Sequence, residues 1–357
     1  MTTFSWAILG TGVVSRKFLL GLRSSKFDAR VVAVASRTRA NAEAFARDFK
    51  VPRVAESYTA ACALPEVDAV YIATPPSLHE EQALMAIAAG KPVLLEKPFA
   101  MDAAQARRIA EAARSAGVFC MEGMWTRFLP LTRHLKQMLE SGAIGELRSF
   151  SGSYAQANRP DSGANIFNAA LGGGALLHRG VYPLSMACHL MGPVIEARTV
   201  ATFGETGVDE DTTVICRHEQ GLSTIQASLR TTAANDCRIM GTKGMIHVES
   251  PIYRPYRLRQ LPAAAAGAAG AANPRKESLK EGGLLQGLQQ RAQGLISLLR
   301  GRGGTTITKH YAGNGYHYEA DELMRSVRAG RSESGILPLA DSVMVMEALD
   351  KARAAWR

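Results

Sequence analysis

The sequence predicts an α/β chain with an α+β part after it. Over the first 120 residues, short apolar strands alternate with helices of a length that implies parallel βαβ units. After about residue 125, one helix is followed by successive β-rich runs with short turns, which predicts a largely antiparallel sheet. The 357 residues also exceed the roughly 250–300 at which one hydrophobic core stops growing. Two domains are therefore expected, 1–124 and 125–357.

In order, the first strand is Ser5–Gly10, and the helix Ser15–Ser24 follows it. A β-branched strand, Arg30–Ala35, leads to the helix Arg39–Phe49. The third strand, Val67–Thr74, stops at Pro75-Pro76, and the helix His79–Ala89 ends at Gly90. The fourth strand, Pro92–Glu96, precedes the helix Ala103–Ala116, which ends at Gly117, and Val118–Glu122 is the fifth strand. Gly90 and Gly117 stand where helix C-caps favour a residue tolerant of positive φ. In the second part, Leu131–Ser141 reads as a helix. Strands are expected at Leu147–Ala155, Val194–Phe203, Asp211–His218, Leu222–Leu229, Asp236–Met240 and Met245–Val248.

Charge and composition exclude several classes. The net charge is +10, but the segment Arg254–His310 holds ten Lys and Arg against Glu277 and Glu281, a local +8 that leaves +2 for the rest. The basicity is local, and few aromatics are interleaved in it, which argues against nucleic-acid binding. No apolar run approaches the roughly 18 residues of a membrane span, so stable membrane insertion is not expected. Five scattered cysteines (Cys62, Cys120, Cys188, Cys216, Cys237) form no CxxC pair. They read as reduced core residues of a cytoplasmic protein, with no metal site. Residues 262–308 stand apart as a basic, Ala/Gly-rich insertion. Pro262–Pro274 is a low-complexity linker, and Leu284–Leu299 carries an apolar helical stripe. That insertion is either a surface excursion or a flap that contacts a membrane surface or partner.

Gly10-Thr11-Gly12-Val13-Val14-Ser15 follows the first strand and opens a helix, with Ser15 at the third place of the Rossmann dinucleotide fingerprint. Gly10 permits the tight turn. Gly12 lets the backbone approach a pyrophosphate, and the helix N-terminus then offers amides and a positive dipole. At the end of the second strand stand Ser36 and Arg37. No carboxylate is there to hold a ribose 2′-hydroxyl, and a guanidinium is available for a 2′-phosphate. The expected cofactor is NADP, with NAD as the alternative.

Further motifs are specific. They are Ala73-Thr74-Pro75-Pro76-Ser77-Leu78-His79, Leu95-Glu96-Lys97-Pro98, Met124-Trp125-Thr126-Arg127-Phe128, Gly172-Gly173-Gly174, Gly180-Val181-Tyr182-Pro183, Gly241-Thr242-Lys243-Gly244 and Gly315-Tyr316-His317-Tyr318-Glu319-Ala320. In this order they resemble the Gfo/Idh/MocA oxidoreductases, nearest the branch of dimeric dihydrodiol dehydrogenase and NADP-dependent D-xylose dehydrogenase. The resemblance implies a Rossmann domain and a second domain whose open sheet shields the nicotinamide and forms a dimer face. A homodimer or larger homo-oligomer through that sheet is therefore expected. It also implies that Thr74, Pro75 and His79 line the nucleotide cleft. Glu96 and Lys97 would sit beside the nicotinamide ribose and substrate, on a cis Lys97-Pro98 bond, and Trp125 and Arg127 would border the nicotinamide. Tyr182 would be the general acid/base, supported by Lys97. A phenol near pKa 10 is a poor base at neutral pH, and a nearby ammonium stabilises its phenolate.

The substrate side departs from the branch. Where the branch reads approximately Arg-Leu-Phe-Asp-Pro and then Asp-Ile-Gly-x-Tyr, this chain has Asn165-Ile166-Phe167-Asn168-Ala169 and His178-Arg179-Gly180-Val181-Tyr182. Asn165, Phe167, His178 and Tyr182 are the candidate substrate contacts. His178 either joins a proton relay or is an inert, hydrogen-bonded histidine. The expected function is hydride transfer between the nicotinamide and a carbinol or carbonyl carbon of a sugar, cyclitol or diol-like small polar molecule. A non-catalytic NADP-binding sensor of the same fold is the alternative, and retention of both Lys97 and Tyr182 favours the enzyme.

Overall fold

The computed structural model describes residues 2–161, 163–263 and 304–356. The N-terminal part is a six-stranded parallel sheet built from β1 (Phe4–Leu9), β2 (Ala29–Ala35), β3 (Arg53–Val54), β4 (Ala69–Ile72), β5 (Val93–Glu96) and β6 (Cys120–Gly123). Their spatial order is β3-β2-β1-β4-β5-β6, and every pair in it is parallel. β1, β4, β5 and β6 are buried along their whole length, as strands covered on both faces must be. The crossovers are α1 (Val13–Leu22), α2 (Arg39–Phe49), α3 (Tyr58–Cys62), α4 (His79–Ala88) and α5 (Ala103–Ala116). The strand order reverses between β1 and β4, the place where open α/β sheets bind ligands.

α6 (Pro130–Glu140) leads into the second sheet: β7 (Leu147–Ala155), β8 (Glu196–Phe203), β9 (Asp209–Arg217), β10 (Leu222–Ser228), β11 (Cys237–Gly241), β12 (Gly244–Val248), β13 (Arg257–Pro262) and β14 (Thr305–Thr308). Its order is β14-β13-β12-β11-β7-β10-β9-β8, antiparallel except for β7 against β10. Along β9, Thr212, Val214 and Cys216 are buried while Thr213, Ile215 and Arg217 are exposed, so one face is packed and the other open. α7 (Val181–Met191) packs on the covered face, against β7 and β10.

The chain ends with α8 (His317–Arg328) and α9 (Leu339–Ala354), and both return to the first sheet's side. α8 packs on α1, and α9 packs on α5, α7 and β8. Asp350 accepts from the Ala103 amide at 2.8 Å, and Arg353 donates to the Met101 carbonyl at 2.6 Å. The last helix thus staples the start of α5 to the second sheet.

Two differences from the sequence reading have plain causes. α7 was not read as a helix, because it is buried almost all round and shows no 3.6-residue stripe. The proposed insertion 262–308 runs on too far: Arg257–Pro262 and Thr305–Thr308 are adjacent antiparallel strands, so its last four residues belong to the sheet. Most of the linker Pro262–Pro274 and the stripe Leu284–Leu299 lie outside the described residues. All five cysteines are buried and unpaired. Among the described residues no cluster could hold a metal, and no helix is long and apolar enough to cross a membrane.

Candidate active site

The turn from β1 into α1 forms the first wall. Gly10 has φ +98°, and a β-carbon there would stand 2.7 Å from the Ala73 carbonyl oxygen, so only glycine lets β1 approach the end of β4. Ser15 fixes the turn by donating to the Gly10 carbonyl at 2.9 Å. A β-carbon at Gly12 would meet nothing within 4 Å, which leaves open space above the helix start. Gly12 is the N-cap and supplies no side-chain cap, so the amides that open α1, at Val13 and Val14, are left for a ligand. Thr11 Oγ1 lies 3.2 Å from Ser36 Oγ, and Arg37 is exposed beside it. This donor set of free helix amides, hydroxyls and a guanidinium, with no carboxylate, fits a dinucleotide carrying a 2′-phosphate.

The ends of β4 and β5 form the second wall. His79 is fully buried, and its ring nitrogens face the Pro98 carbonyl at 2.9 Å and the Thr74 carbonyl at 3.0 Å. Burial pushes its pKa down to about 4. The neutral ring carries one N–H, so it donates to one of these carbonyls and packs between the Thr74-Pro75 turn and the Lys97-Pro98 turn, whose peptide is cis. It therefore supports the cleft from behind, where the sequence reading put it on the cleft lining. Thr74 donates to Gln82 at 2.7 Å. Pro75 is partly exposed at this turn.

Glu96 and Lys97 follow at the end of β5. Glu96 Oε1 accepts from the Tyr71 hydroxyl at 2.6 Å, and Oε2 accepts from the Lys97 amide at 3.1 Å. Lys97 Nζ donates to the His178 carbonyl at 3.3 Å and lies 4.9 Å from the centroid of the Tyr182 ring. Burial pushes the lysine down from its ordinary value, against the pull of Glu96 and Glu122. Burial also pushes the Tyr182 phenol well above its usual range, and the charge of Glu96 adds to that. The sequence reading expected the ammonium to lower the phenol; in this closed cleft desolvation wins, and Tyr182 keeps its proton.

Tyr182 sits in an aromatic box that sequence reasoning missed. Trp125 Nε1 donates to its hydroxyl at 3.4 Å, Tyr154 meets it edge-on at 5.5 Å, and Tyr253 lies 6.1 Å away. Tyr316 stacks on Trp125 at 4.6 Å. Arg179 lies over Tyr154 at 5.6 Å and donates to the carbonyls of Gln156 and Ser228 and to Asn158. Tyr316 and Arg179 lie within motifs quoted above, but spacing alone gave them no role. Tyr154 and Tyr253 carry no sequence signal, because only tertiary folding brings β7 and the Tyr253 loop together.

Arg127 does not border an open cleft. It is buried, and it donates to Ser185 Oγ and to Asp341 Oδ2, each at 3.2 Å. It therefore knots the turn after β6 to α7 and α9. Phe167, a candidate substrate contact, is 1% exposed and packs with Ala175, Val208, Ala227 and Leu229, so it is a core residue. Asn165 is exposed. His178 lies on a π-helical turn, Leu176–Gly180, its Nε2 buried without a partner. Burial, with Lys97 and Arg179 nearby, pushes it down to about 3. A ring neutral across the physiological range does not suit the relay reading and leaves a hydrogen-bonding role.

The family model described as an oxidoreductase family with an NAD-binding Rossmann fold matches residues 4–124, and the GFO/IDH/MocA C-terminal domain matches residues 132–247. The chain is 30% identical to trans-1,2-dihydrobenzene-1,2-diol dehydrogenase of Mus musculus, over 98% of this chain and 96% of that protein. It is 32% identical to D-xylose 1-dehydrogenase (NADP(+)) of Hypocrea jecorina, over 98% and 91%. Among solved structures it resembles a 3-ketoreductase from Actinomadura kijaniata in complex with NADP and TDP-benzene, with TM-score 0.80 and 23% identity over 100% and 98% of the two chains. It also resembles a levoglucosan dehydrogenase in complex with NADH and levoglucosan, with TM-score 0.81 and 19% identity over 99% and 97%.

Proposed function

The chain belongs to the Gfo/Idh/MocA oxidoreductases, and from that membership we propose that Lys97 and Tyr182 move the proton while a hydride passes between NADP and a carbinol or carbonyl carbon. The protein is an NADP-dependent oxidoreductase acting on CH–OH groups. When bound, the nicotinamide supplies or takes the hydride.

The observation that carries the assignment is the Lys97 ammonium lying 4.9 Å over the Tyr182 ring, beside the ends of β4 and β5. Tyr182 holds its proton and is placed to donate it to a carbonyl oxygen. Lys97 stabilises the phenolate that forms, and the same pair runs in reverse for a carbinol. Trp125 orients the phenol through its indole N–H. The α1 amides, Gly12 and Ser36 hold the dinucleotide, and Arg37 meets its 2′-phosphate. The neutral His178 and the exposed Asn165 suit an uncharged polyol, so the substrate is a sugar, cyclitol or diol-like compound.

We further propose that the enzyme is a cytoplasmic homodimer or larger homo-oligomer. Unpaired, buried cysteines suit a reducing compartment. The open face of the second sheet exposes Val200 at 69% and Ile215 at 50%, with Leu222 beside them. The test is NADPH absorbance across aldoses, ketoses and diones: turnover on a polyol-type carbonyl is expected, and NADPH binding with no turnover anywhere in the panel overturns the reading.

A further inference from the structure

Three carboxyl groups are buried near the ends of β5 and β6, and the proton transfer uses none of them directly. Glu96 ends β5, Glu122 lies on β6 and Glu319 on α8; all are buried, and Glu319 is fully enclosed. Glu96 and Glu319 meet at Gly123, the register partner of Glu96: a β-carbon there would lie 3.4 Å from Glu96 Cα and 3.6 Å from Glu319 Oε2, whereas Glu122, one step back on β6, faces the other side of the sheet toward Ser342 and Arg127. Both oxygens of Glu319, and Oε1 of Glu122, are shielded from solvent without a hydrogen-bond partner. Glu96 has donors at both oxygens, the Tyr71 hydroxyl at 2.6 Å and the Lys97 amide at 3.1 Å. Tyr71 is itself fixed, its ring stacked on Phe18 at 3.8 Å.

Carboxyls this close in a dry region do not all ionise. The negative charge goes to the group with donors, and the proton to the group without them. We propose that Tyr71 is a positioning residue that holds Glu96 as the carboxylate counter-ion of Lys97, while Glu319 carries the proton. This rests on the reading of Lys97 above. The hydroxyl of Tyr71 stays a donor at every working pH, because burial and the neighbouring carboxyls push it well above its usual value. Burial and the charges of Glu96 and Glu122 push Glu319 well above its own.

The charged and titratable groups around the pair come from several elements. Burial raises Glu96, and the Lys97 charge, the Tyr71 hydroxyl, the Lys97 amide and Lys17 on α1 pull it back down; Glu122 across the sheet, Glu319 and Tyr316 at α8 and Tyr182 on α7 are raised by its charge in turn. Lys97 faces Glu96 and Glu122, which hold it charged, and Arg179 and Lys17, which oppose that; His79 and His178 are neutral neighbours. Burial works against the ammonium, the pull toward it comes from the carboxylates, and Glu96 is the one with two donors.

Tyr71→Phe keeps the stacked ring and removes the donor. Glu96 then takes up a proton more readily, and Lys97 loses its counter-ion and gives up its proton more readily. In the pH profile of carbonyl reduction, the acid limb is expected to move up and the alkaline limb down, each by about one unit, a tenfold change in proton affinity. A merely structural role lowers kcat and Tm without moving the limbs. If Tyr71→Phe does not fold, Glu96→Gln is read for the same downward move of the alkaline limb. In the apoprotein at pH 8.5, where Glu122 and Asp209 are ionised, the infrared difference between wild type and Glu319→Gln is expected to show the loss of one protonated carboxyl C=O band. Unmoved limbs, or a protonated-carboxyl intensity at pH 8.5 that Glu319→Gln leaves unchanged, overturn the proposal. If Lys97→Met retains turnover within tenfold of wild type, the assignment of Lys97 fails and this inference with it. If Lys97→Met is inactive and the limbs of Tyr71→Phe stay put, this inference alone fails.

Discussion

Lys97 Nζ lies over the face of the Tyr182 ring, 4.9 Å from its centroid, and this contact joins the end of β5 to α7 across the cleft. Neither group suits the chemistry alone: burial raises the phenol and lowers the ammonium. Removing either is expected to leave the fold and lose the proton transfer. Tyr182→Phe is expected to lower kcat roughly a hundred- to ten-thousand-fold, the range for general acid–base catalysis. NADPH affinity in that variant, read by fluorescence titration, stays within a few-fold. Lys97→Met is expected to lose a similar factor, and turnover within tenfold of wild type in either variant rejects the assignment.

Arg37 is exposed beside Ser36, whose hydroxyl is 3.2 Å from Thr11. A charge-assisted hydrogen bond contributes about 1.5–3 kcal/mol, roughly 10- to 100-fold in affinity. Arg37→Ala is therefore expected to weaken NADPH binding by that factor and to leave NADH binding unchanged. Ser36→Asp adds a carboxylate that suits a 2′-hydroxyl and repels a 2′-phosphate, so it is expected to invert the preference. Parallel titrations with both cofactors check this; equal weakening of both shows that Arg37 does not read the 2′-phosphate.

His79 predicts a pH-dependent stability. Its folded pKa is about 4 against 6.5 unfolded, because burial disfavours the charged ring. The unfolded chain binds the proton first, so this contribution is fully present above pH 6.5 and is lost as the pH falls toward 4. The difference corresponds to about 3 kcal/mol at 1.36 kcal/mol per unit. Buried acids with raised values, Glu122 at about 7 and Asp209 at about 6, act with the opposite sign, so the wild-type curve alone is not diagnostic. His79→Gln isolates the term: its destabilisation relative to wild type is expected to be largest at pH 7 and to shrink by pH 4. A gap that does not change with pH in denaturant melts rules the mechanism out.

Much of the first sheet was legible because its rules are local. Five of its six strands read as apolar runs between helices, and the Gly10–Gly12 turn announced both the switch point and the ligand. β3 and α3 were missed because two-residue strands and one-turn helices carry no period. Lys97 and Tyr182 were found through motifs; their contact is tertiary, as is the box of Tyr154, Tyr253 and Tyr316. Phe167 and Arg127 were misplaced for one reason: a motif gives the neighbourhood of a side chain and not the direction it faces. Arg127 turns toward Asp341, some two hundred residues away in sequence, a partner no local pattern announces.

The open sheet face gives the last prediction. On β8 and β9, Val200 pairs in register with Thr213, and Ile215 with Arg198. Val200 and Ile215 are exposed, whereas Thr199 and Val214, one step along, are buried. The alternation sets the first pair against solvent in an isolated chain, with exposed Leu222 nearby on β10. Apolar residues gathered on one open face favour burial against another copy, at roughly 25 cal/mol per Å² removed from water. Charging that face is expected to separate the copies without touching the core. Val200→Glu combined with Ile215→Lys is expected to convert the assembly to monomers in light scattering. Each monomer is expected to bind NADPH, because the α1 amides and Arg37 lie on the other sheet. A wild type that is already monomeric at micromolar concentration refutes the interface, and an unaltered oligomer in the double variant moves it to another surface.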